Sequence, residues 1–212
     1  MQDKALVFDL DNTLYYDGDS EVEKKENAKI VNFLKQKLHL SVAKAHNFMS
    51  DARSRGLYDV DAVTPDMPFT KREFMDNVCD VDVGFLPRNE RLNQLLRELP
   101  QRKFIITDGI SKRVRAVLSS IAVDEDNFEG IFDGHDMNYV FKRNPQAFEM
   151  FLQKYNLRAK DCVLFEDSLV NLQTAKKLGF TTVLISPEKT RDYPFVDKYF
   201  SDIVTALEDL TK

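Results

Sequence analysis

Short runs of consecutive apolar residues recur along the chain, and each run breaks abruptly into polar residues. Continuous apolar runs that end at a polar loop are typical of strands buried on both faces of a sheet. The pattern predicts strands over residues 4–8, 103–107, 162–165 and 180–185.

Helical spacing, with apolar side chains three or four residues apart, follows the last three of these strands. The predicted helices cover residues 114–121, 172–178 and 203–210, and Gly179 is a suitable stop for the second of them. Strands that alternate with helices favour a parallel sheet covered on both faces. We therefore predict an α/β fold in three layers.

The long stretch between the first two predicted strands contains no convincing strand. Helical spacing recurs there over residues 30–38, 42–49, 74–78 and 92–99. Ser41 is a suitable N-cap for the second of these helices, and residues 60–68, with two prolines and two acids, are predicted to form a loop. The stretch is interpreted as a helical unit inserted into the sheet domain.

Composition narrows the class of protein. The 212 residues are 43% hydrophobic, 31% charged and 11% aromatic, which excludes a disordered chain and a collagen-like repeat. A formal net charge of −5 offers no broad attraction for a nucleic acid polymer or an anionic membrane surface.

The start of the sequence has neither the basic leader nor the apolar span of a secretory signal. No stretch approaches the roughly 20 apolar residues that a membrane helix needs. A cytoplasmic location is therefore predicted, in which Cys79 and Cys162 are buried or half-buried, reduced thiols.

Polar residues at the ends of the predicted strands are the candidates for chemistry. In parallel α/β sheets, ligands bind beyond the carboxyl ends of the strands, near the point where strand order reverses. The candidates offer carboxylates for a hard cation, and a hydroxyl and an ammonium group for phosphoryl oxygens. The strand-end candidates are Asp9, Asp11, Thr107, Glu166 and Asp167, and Lys142 lies in the connection between the strands at 103–107 and 162–165.

Each candidate also has an ordinary structural explanation. Asp9 and Asp11 fit an Asx turn, Lys142 fits a surface lysine, and Glu166 fits the start of a helix, where the dipole favours acids. Those explanations would have to coincide at one end of one sheet. We therefore favour a cation site beside a phosphate site.

These residues and their flanks resemble, in order, the four motifs of the haloacid dehalogenase superfamily. The similar segments are Asp9–Tyr15 (DLDNTLY), Thr107–Gly109 (TDG), Phe141–Phe148 around Lys142 (FKRNPQAF) and Phe165–Ser168 (FEDS). Their spacing is similar to that of members with a helical cap after the first motif. The resemblance implies a Rossmann-like core over residues 1–15 and 88–212 and a helical-bundle cap over 16–87.

Three segments resemble the pyrimidine 5′-nucleotidase-like branch of that superfamily: residues 12–15 (NTLY), 99–103 (LPQRK) and 128–133 (FEGIFD). The chain departs from the branch at three positions. Asp108 stands where Asn is usual, Arg143 where Pro is usual, and Glu166 where Asp is usual. Arg143 therefore adds a candidate contact to phosphate or ribose.

The resemblance implies a phosphoryl-transfer mechanism. Mg²⁺ is expected to bind Asp9, the backbone carbonyl of Asp11, and Asp167 with help from Glu166. The implied nucleophile is Asp9, which forms an aspartyl-phosphate, and the implied general acid and base is Asp11. Phosphoryl oxygens are expected to be stabilised by Thr107, the amides around Asp108 and Gly109, and Lys142.

The cap is expected to supply specificity. Its candidate groups are the polar or aromatic residues Tyr15, Tyr16, Arg53, Arg55 and Tyr58, for which packing or solvation is an equally good explanation. Ser168 and Asn171 are interpreted as capping or supporting residues. The single histidines His39, His46 and His135 are interpreted as structural or solvent-facing.

The leading functional prediction is a Mg²⁺-dependent phosphatase of nucleoside 5′-monophosphates, with a small phosphorylated metabolite as partner and a monomeric or homodimeric state. Alternatives are a sugar phosphomutase, a sugar-phosphate or phosphoglycolate phosphatase, and a non-catalytic phospho-ligand-binding protein. A signalling receiver domain also combines an acid cluster with Thr and Lys, but the order of these residues and the length of the chain oppose it. Because halide needs no proton on leaving, Asp11 favours phosphate transfer over dehalogenation.

Overall fold

The computed structural model describes residues 4–18, 20–188 and 191–211, which divide into two compact units. A sheet unit comprises the described residues of Met1–Asp17 and Gly84–Lys212, and a helical unit comprises those of Gly18–Val83. These bounds differ by a few residues from the boundaries predicted at 15/16 and 87/88.

Six parallel strands form the centre of the sheet unit. In chain order they are β1 (Ala5–Phe8), β2 (Lys103–Ile106), β3 (Gly130–Phe132), β4 (Cys162–Glu166), β5 (Thr181–Ile185) and β6 (Lys198–Phe200). The order across the sheet is β3-β2-β1-β4-β5-β6, so the direction of strand addition reverses between β1 and β4. Every residue of β1 and β4 is buried, as continuous apolar runs require.

The described residues contain eight α-helices. Three belong to the helical unit, namely α1 (Glu21–Leu38), α2 (Val42–Ser54) and α3 (Lys71–Val78), and five to the sheet unit, namely α4 (Glu90–Glu98), α5 (Ser111–Ser120), α6 (Pro145–Lys154), α7 (Leu169–Leu178) and α8 (Ile203–Leu210). The predicted α/β fold with a parallel sheet is confirmed.

Local signals account for several helix ends. The Ser41 side chain accepts a hydrogen bond from the Lys44 amide at the start of α2, as its N-cap role predicts. Gly179 ends α7 with a φ of 99°, a left-handed conformation that glycine adopts without strain. Phe33 packs edge-on against Phe69 and Phe74 in the core of the helical unit.

The apolar pattern misses three elements of the sheet unit. β3 and β6 are three-residue strands, largely half-buried, at the edges of the sheet, so they lack the continuous apolar run of a central strand. The predictions also omit α6, although Asn144 as N-cap and Pro145 in the first turn are signals of a helix start. In the helical unit, the predicted loop 60–68 overlaps a 3₁₀ turn at Asp59–Ala62.

Both cysteines, Cys79 and Cys162, are buried free thiols, as predicted. Burial raises the pKa of the Cys162 thiol to about 11. Among the described helices, none is both long and apolar enough to cross a membrane.

Candidate active site

The candidate site begins where β1 and β4 end side by side. Phe8 pairs with Phe165 in the parallel register, and the two rings stack with centroids 4.9 Å apart. Asp9 follows β1, and its amide donates to the Phe165 carbonyl at 2.9 Å. Because adjacent parallel strands end at the same edge, this pairing brings Asp9 next to Glu166.

Asp9, Glu166 and Asp167 form an acidic cluster. One carboxylate oxygen from each lies within 4.8 Å of the others. Burial and the neighbouring Glu166 carboxylate raise the pKa of Asp9 well above its ordinary value, against the opposing effect of Lys142. Burial and Glu166 also raise the pKa of Asp167 to about 8. Negative charge is therefore crowded at this edge of the sheet.

Lys142 provides the positive charge inside this cluster. Its ammonium group donates to Asp9 Oδ1 and, at 2.8 Å, to Glu166 Oε2, with Lys142 2% exposed. Burial alone would lower the pKa of Lys142, but the carboxylates of Asp9, Glu166 and Asp108 hold that pKa well above its ordinary value. The structure thus brings Lys142 to the two strand-end acids that lie far from it in the sequence.

The segment after β2 places Thr107, Asp108 and Gly109 beside Lys142. The Thr107 hydroxyl oxygen accepts from the Gly109 amide at 3.0 Å, so its own proton is left to donate. The Asp108 carboxylate accepts from the backbone amide of Lys142 at 3.0 Å. Burial raises the pKa of Asp108, although Lys142 opposes the shift. Asp108 therefore anchors the Lys142 segment, a contact that the phosphate-binding prediction did not include.

Asp11 lies outside the three-carboxylate cluster. After β1 the chain makes one tight turn, with the Leu14 amide donating to the Leu10 carbonyl at 3.0 Å and Asn12 in the left-handed region at a φ of 56°. This turn places Tyr15 one turn beyond Asp11, and the Tyr15 hydroxyl donates to Asp11 Oδ1. Burial and the Asp11 charge raise the pKa of Tyr15, so the phenol keeps its proton.

A buried arginine is the site residue that the sequence predictions missed. Arg113 on α5 is 6% exposed, and its Nη2 donates to Asp11 Oδ1 at 2.5 Å and to the Tyr15 hydroxyl oxygen at 3.2 Å. A sequence signal for it exists, since cations are disfavoured in the first turn of a helix. Arg113 occupies that turn without an acidic neighbour in it.

Supporting residues surround Glu166. The Ser168 amide donates to Glu166 Oε1 at 3.0 Å, and Asn171 Nδ2 donates to Glu166 Oε2 at 3.3 Å. Ser168 is the N-cap residue of α7 by position, without a side-chain cap bond. The half-buried Arg143 accepts from the Thr174 hydroxyl through its carbonyl, and its contact with phosphate or ribose stays a prediction.

The specificity candidates have mostly internal partners. In the helical unit, Arg53 pairs with Asp59 at 2.7 Å and also donates to Asn27, while Arg55 pairs with Asp51. In the sheet unit, Tyr15 binds Asp11 as described, whereas Tyr16 is 58% exposed. Tyr16 is therefore the candidate whose ring is most open to a ligand.

The donor set of the acidic cluster fits a hard divalent cation. Asp9, Glu166 and Asp167 offer carboxylate oxygens only, the ligands that Mg²⁺ prefers, and one ammonium group accompanies the three acids. The Asp11 side chain is instead bound through Oδ1 to Tyr15 and Arg113, which agrees with the prediction that Asp11 meets the metal through its backbone carbonyl.

A comparison of the sequence with known protein families agrees with the order of these residues and with the parallel sheet around them. The family described as haloacid dehalogenase-like hydrolase matches residues 4–179, which include all four segments that resemble the superfamily motifs. The chain belongs to the haloacid dehalogenase-like hydrolases. A curated relative, a haloacid dehalogenase-like hydrolase domain-containing protein of Arabidopsis thaliana, is 25% identical over 113 residues. That match covers 52% of this hydrolase and 34% of the relative.

Solved structures share the fold of this hydrolase. A HAD phosphatase from Thermococcus onnurineus aligns with a TM-score of 0.66 and 21% identity, covering 98% of this chain and 97% of that chain. CbbY from Rhodobacter sphaeroides in complex with phosphate aligns with a TM-score of 0.63 and 16% identity, covering 95% of each chain. L-2-haloacid dehalogenase from Xanthobacter autotrophicus aligns with a TM-score of 0.59 and 15% identity over 98% of each chain. The fold is therefore common to phosphatases and dehalogenases.

Proposed function

We propose that this haloacid dehalogenase-like hydrolase is a Mg²⁺-dependent phosphomonoesterase that acts through an aspartyl-phosphate on Asp9. The observation that carries the proposal is the separation of two kinds of acid. Asp9 lies in a charged cluster with Lys142, while Asp11 is held apart by Tyr15 and Arg113. This separation supports nucleophilic attack by Asp9 and proton transfer by Asp11.

In the first step, a carboxylate oxygen of Asp9 attacks phosphorus and the bond from phosphorus to the ester oxygen breaks. The proton of Asp11 goes to the departing alkoxide, which leaves as a neutral alcohol. The buried Lys142 ammonium and the Thr107 hydroxyl donate to the phosphoryl oxygens as charge shifts onto them.

In the second step, water attacks the phosphorus of the aspartyl-phosphate. Asp11 accepts a proton from this water, and the bond from phosphorus to the Asp9 oxygen breaks. Inorganic phosphate leaves, Asp9 is again a carboxylate and Asp11 is again protonated, so the cycle closes without another reactant.

Three carboxylates would hold the metal, namely Asp9, Glu166 and Asp167, together with the Asp11 carbonyl. Bound Mg²⁺ supplies positive charge that offsets the repulsion between a phosphate dianion and the acids, and it orients the phosphoryl group. Glu166 is itself held by Ser168 and Asn171, so its oxygens are fixed before a ligand arrives.

Nucleoside 5′-monophosphates are the proposed substrate class. The support is the resemblance of three segments to the pyrimidine 5′-nucleotidase-like branch, and the helical unit is the proposed source of specificity. A dehalogenase role is disfavoured by Asp11, because a halide leaving group takes no proton. A sugar phosphomutase differs in its product, since it transfers the phosphoryl group to a second sugar phosphate instead of to water.

A phosphate-release assay tests this proposal. Wild-type protein is incubated with nucleoside monophosphates, sugar phosphates and phosphoglycolate, with Mg²⁺ and with EDTA. We expect inorganic phosphate to accumulate stoichiometrically from nucleoside monophosphates with Mg²⁺ only. Asp9→Asn, which keeps the shape of the side chain, is expected to lower turnover on the order of 10³-fold or more.

Asp126→Asn, at an exposed acid in the 3₁₀ turn Glu125–Asn127, is the matched control and should turn over like the wild type. Circular dichroism checks that Asp9→Asn keeps its fold. No phosphate release from any ester, or full turnover of Asp9→Asn, would contradict the proposed function.

A further inference from the structure

We infer that Arg113 is a positioning residue, which together with Tyr15 fixes one oxygen of Asp11 so that the other carries the proton to the leaving group. The inference rests on the proposed function, because it concerns the acid that serves the same reaction. It adds a residue outside the four motif segments and gives it a role that acts through Asp11.

The contacts point to a single oxygen of Asp11. Arg113 Nη2 and the Tyr15 hydroxyl both donate to Oδ1, and Arg113 also donates to the Tyr15 oxygen. The three side chains therefore form a closed triangle of hydrogen bonds. Neither contact involves Oδ2, so Oδ2 is the carboxyl oxygen on which a proton for the substrate is best placed.

Two of the three side chains in this triangle, Arg113 and Tyr15, are buried. Arg113 is 6% exposed and Tyr15 is 7% exposed, while the Asp11 side chain is 34% exposed, so Asp11 gives a buried guanidinium an ion-pair partner at the edge of the site. Removing a carboxylate that pairs with a buried cation is costly. The pair thus holds the Asp11 side chain in one rotamer instead of letting it turn toward Asp9 and the other acids.

The position of Arg113 within α5 supports a role in function as well as in folding. Arg113 lies in the first turn of α5, where the positive end of the helix dipole disfavours a cation. A residue that is unfavourable for its helix, with no compensating gain in the helix itself, is typical of a functional site. On the same helix, Arg115 has a side chain 57% exposed and pairs with Glu125, which is an ordinary surface arrangement.

General acid catalysis explains why a fixed oxygen matters. The acid must lie within hydrogen-bond reach of the ester oxygen, about 2.6–3.2 Å, at the moment the bond breaks. A displacement of about 1 Å costs roughly 10²-fold in rate. An alkyl phosphate needs this proton, whereas p-nitrophenolate leaves with little protonation.

The test measures kcat and KM with an alkyl phosphate and with p-nitrophenyl phosphate, for Arg113→Gln and Tyr15→Phe. We expect kcat for the alkyl phosphate to fall roughly 10- to 100-fold in Arg113→Gln, with KM unchanged and with p-nitrophenyl phosphate affected far less. Tyr15→Phe should give a smaller loss of the same kind, and Arg113→Lys should recover part of the rate.

A double-mutant cycle with Asp11→Asn separates the two ways in which Arg113 could act. In the Asp11→Asn background the Arg113→Gln change should have no further effect on the alkyl phosphate, because its route through Asp11 is already lost. Arg115→Gln is the matched control on α5 and should behave like the wild type.

Equal loss on both esters would overturn the inference and assign Arg113 to folding. A full Arg113→Gln effect in the Asp11→Asn background would also overturn it, in favour of direct contact with substrate. Should Arg113→Gln fail to fold, Tyr15→Phe decides by the same two measurements. If the wild type releases phosphate, these outcomes judge the inference alone; if it releases none, the proposed function fails, and the inference with it.

Discussion

Several residues of the candidate site are held in position by hydrogen bonds to one another. Asp108 follows a motif threonine and was expected to contribute amides to phosphate, yet its carboxylate accepts from the Lys142 backbone amide. An Asn side chain also offers an oxygen acceptor for this amide. We therefore expect position 108 to tolerate Asn, because the contact with the Lys142 amide is kept.

Substitution at Asp108 tests this view. Asp108→Asn keeps an acceptor for the Lys142 amide and should retain turnover within a few-fold of the wild type. Asp108→Ala leaves a buried amide unsatisfied, which costs about 1–3 kcal/mol of unfolding free energy, and it should lower turnover by moving Lys142. Urea unfolding and kcat measure the two effects, and similar behaviour of Asn and Ala would refute the anchoring role.

In the sheet unit, one side chain joins the end of β3 to the start of α5. Asp133 follows β3, and its Oδ2 accepts from the Ser111 amide at 2.7 Å and the Ser111 hydroxyl at 2.6 Å at the start of α5. Its Oδ1 accepts from the amides of His135 and Asp136. One carboxylate thus fixes the first turn of the helix that carries Arg113.

Low pH should weaken the contact between the Asp133 carboxylate and the start of α5. Burial raises the pKa of Asp133, but the hydrogen bonds from Ser111 and Asp136 outweigh that effect and hold the pKa below its ordinary value of 3.8. The ionised carboxylate therefore contributes stability at neutral pH, and this contribution declines as the pH falls below about 4.

Asp133→Asn is expected to lower the free energy of unfolding by about 1–3 kcal/mol at pH 7, because a single acceptor oxygen replaces two. The deficit relative to wild type should shrink between pH 4 and pH 3, measured by urea unfolding. The exposed Asp126→Asn variant controls for the general loss of an acid. A deficit that stays constant down to pH 3 would contradict the linkage to Asp133.

A metal ion bound to the acidic cluster should stabilise the folded molecule as a whole. Asp9, Glu166 and Asp167 come from two strand ends, so an ion bound to all three is bound to the folded sheet and not to the unfolded chain. Such a ligand stabilises the native state by mass action.

Thermal unfolding tests this linkage without any substrate. At Mg²⁺ near 100 times its Kd, the stabilisation is about 2.7 kcal/mol, which corresponds to a rise in Tm of roughly 5–10 °C for a chain of this size. Asp167→Asn should reduce the rise, and Asp126→Asn should leave it intact. An equal rise in Asp167→Asn and wild type, or none in the wild type, would argue against the proposed metal site.

The sequence alone determined the central strands, most helices and the strand-end acids. Apolar runs and helical spacing are local signals, and strands such as β1 and β4 are buried along their whole length, so pattern and burial coincide. The half-buried edge strands β3 and β6 lack that signal, because pairing with a neighbour stabilises them.

Tertiary structure decided which side chains meet. Lys142 and Asp9 lie 133 positions apart, and Arg113 and Asp11 lie 102 apart, so no local pattern records either pair. The strand order brings β1 beside β4, and the start of α5 carries Arg113 to Asp11. The sequence by itself therefore determined which strand-end residues are candidates for the chemistry, and only the packed sheet decided which of them contact one another, because contact distances depend on long-range strand pairing.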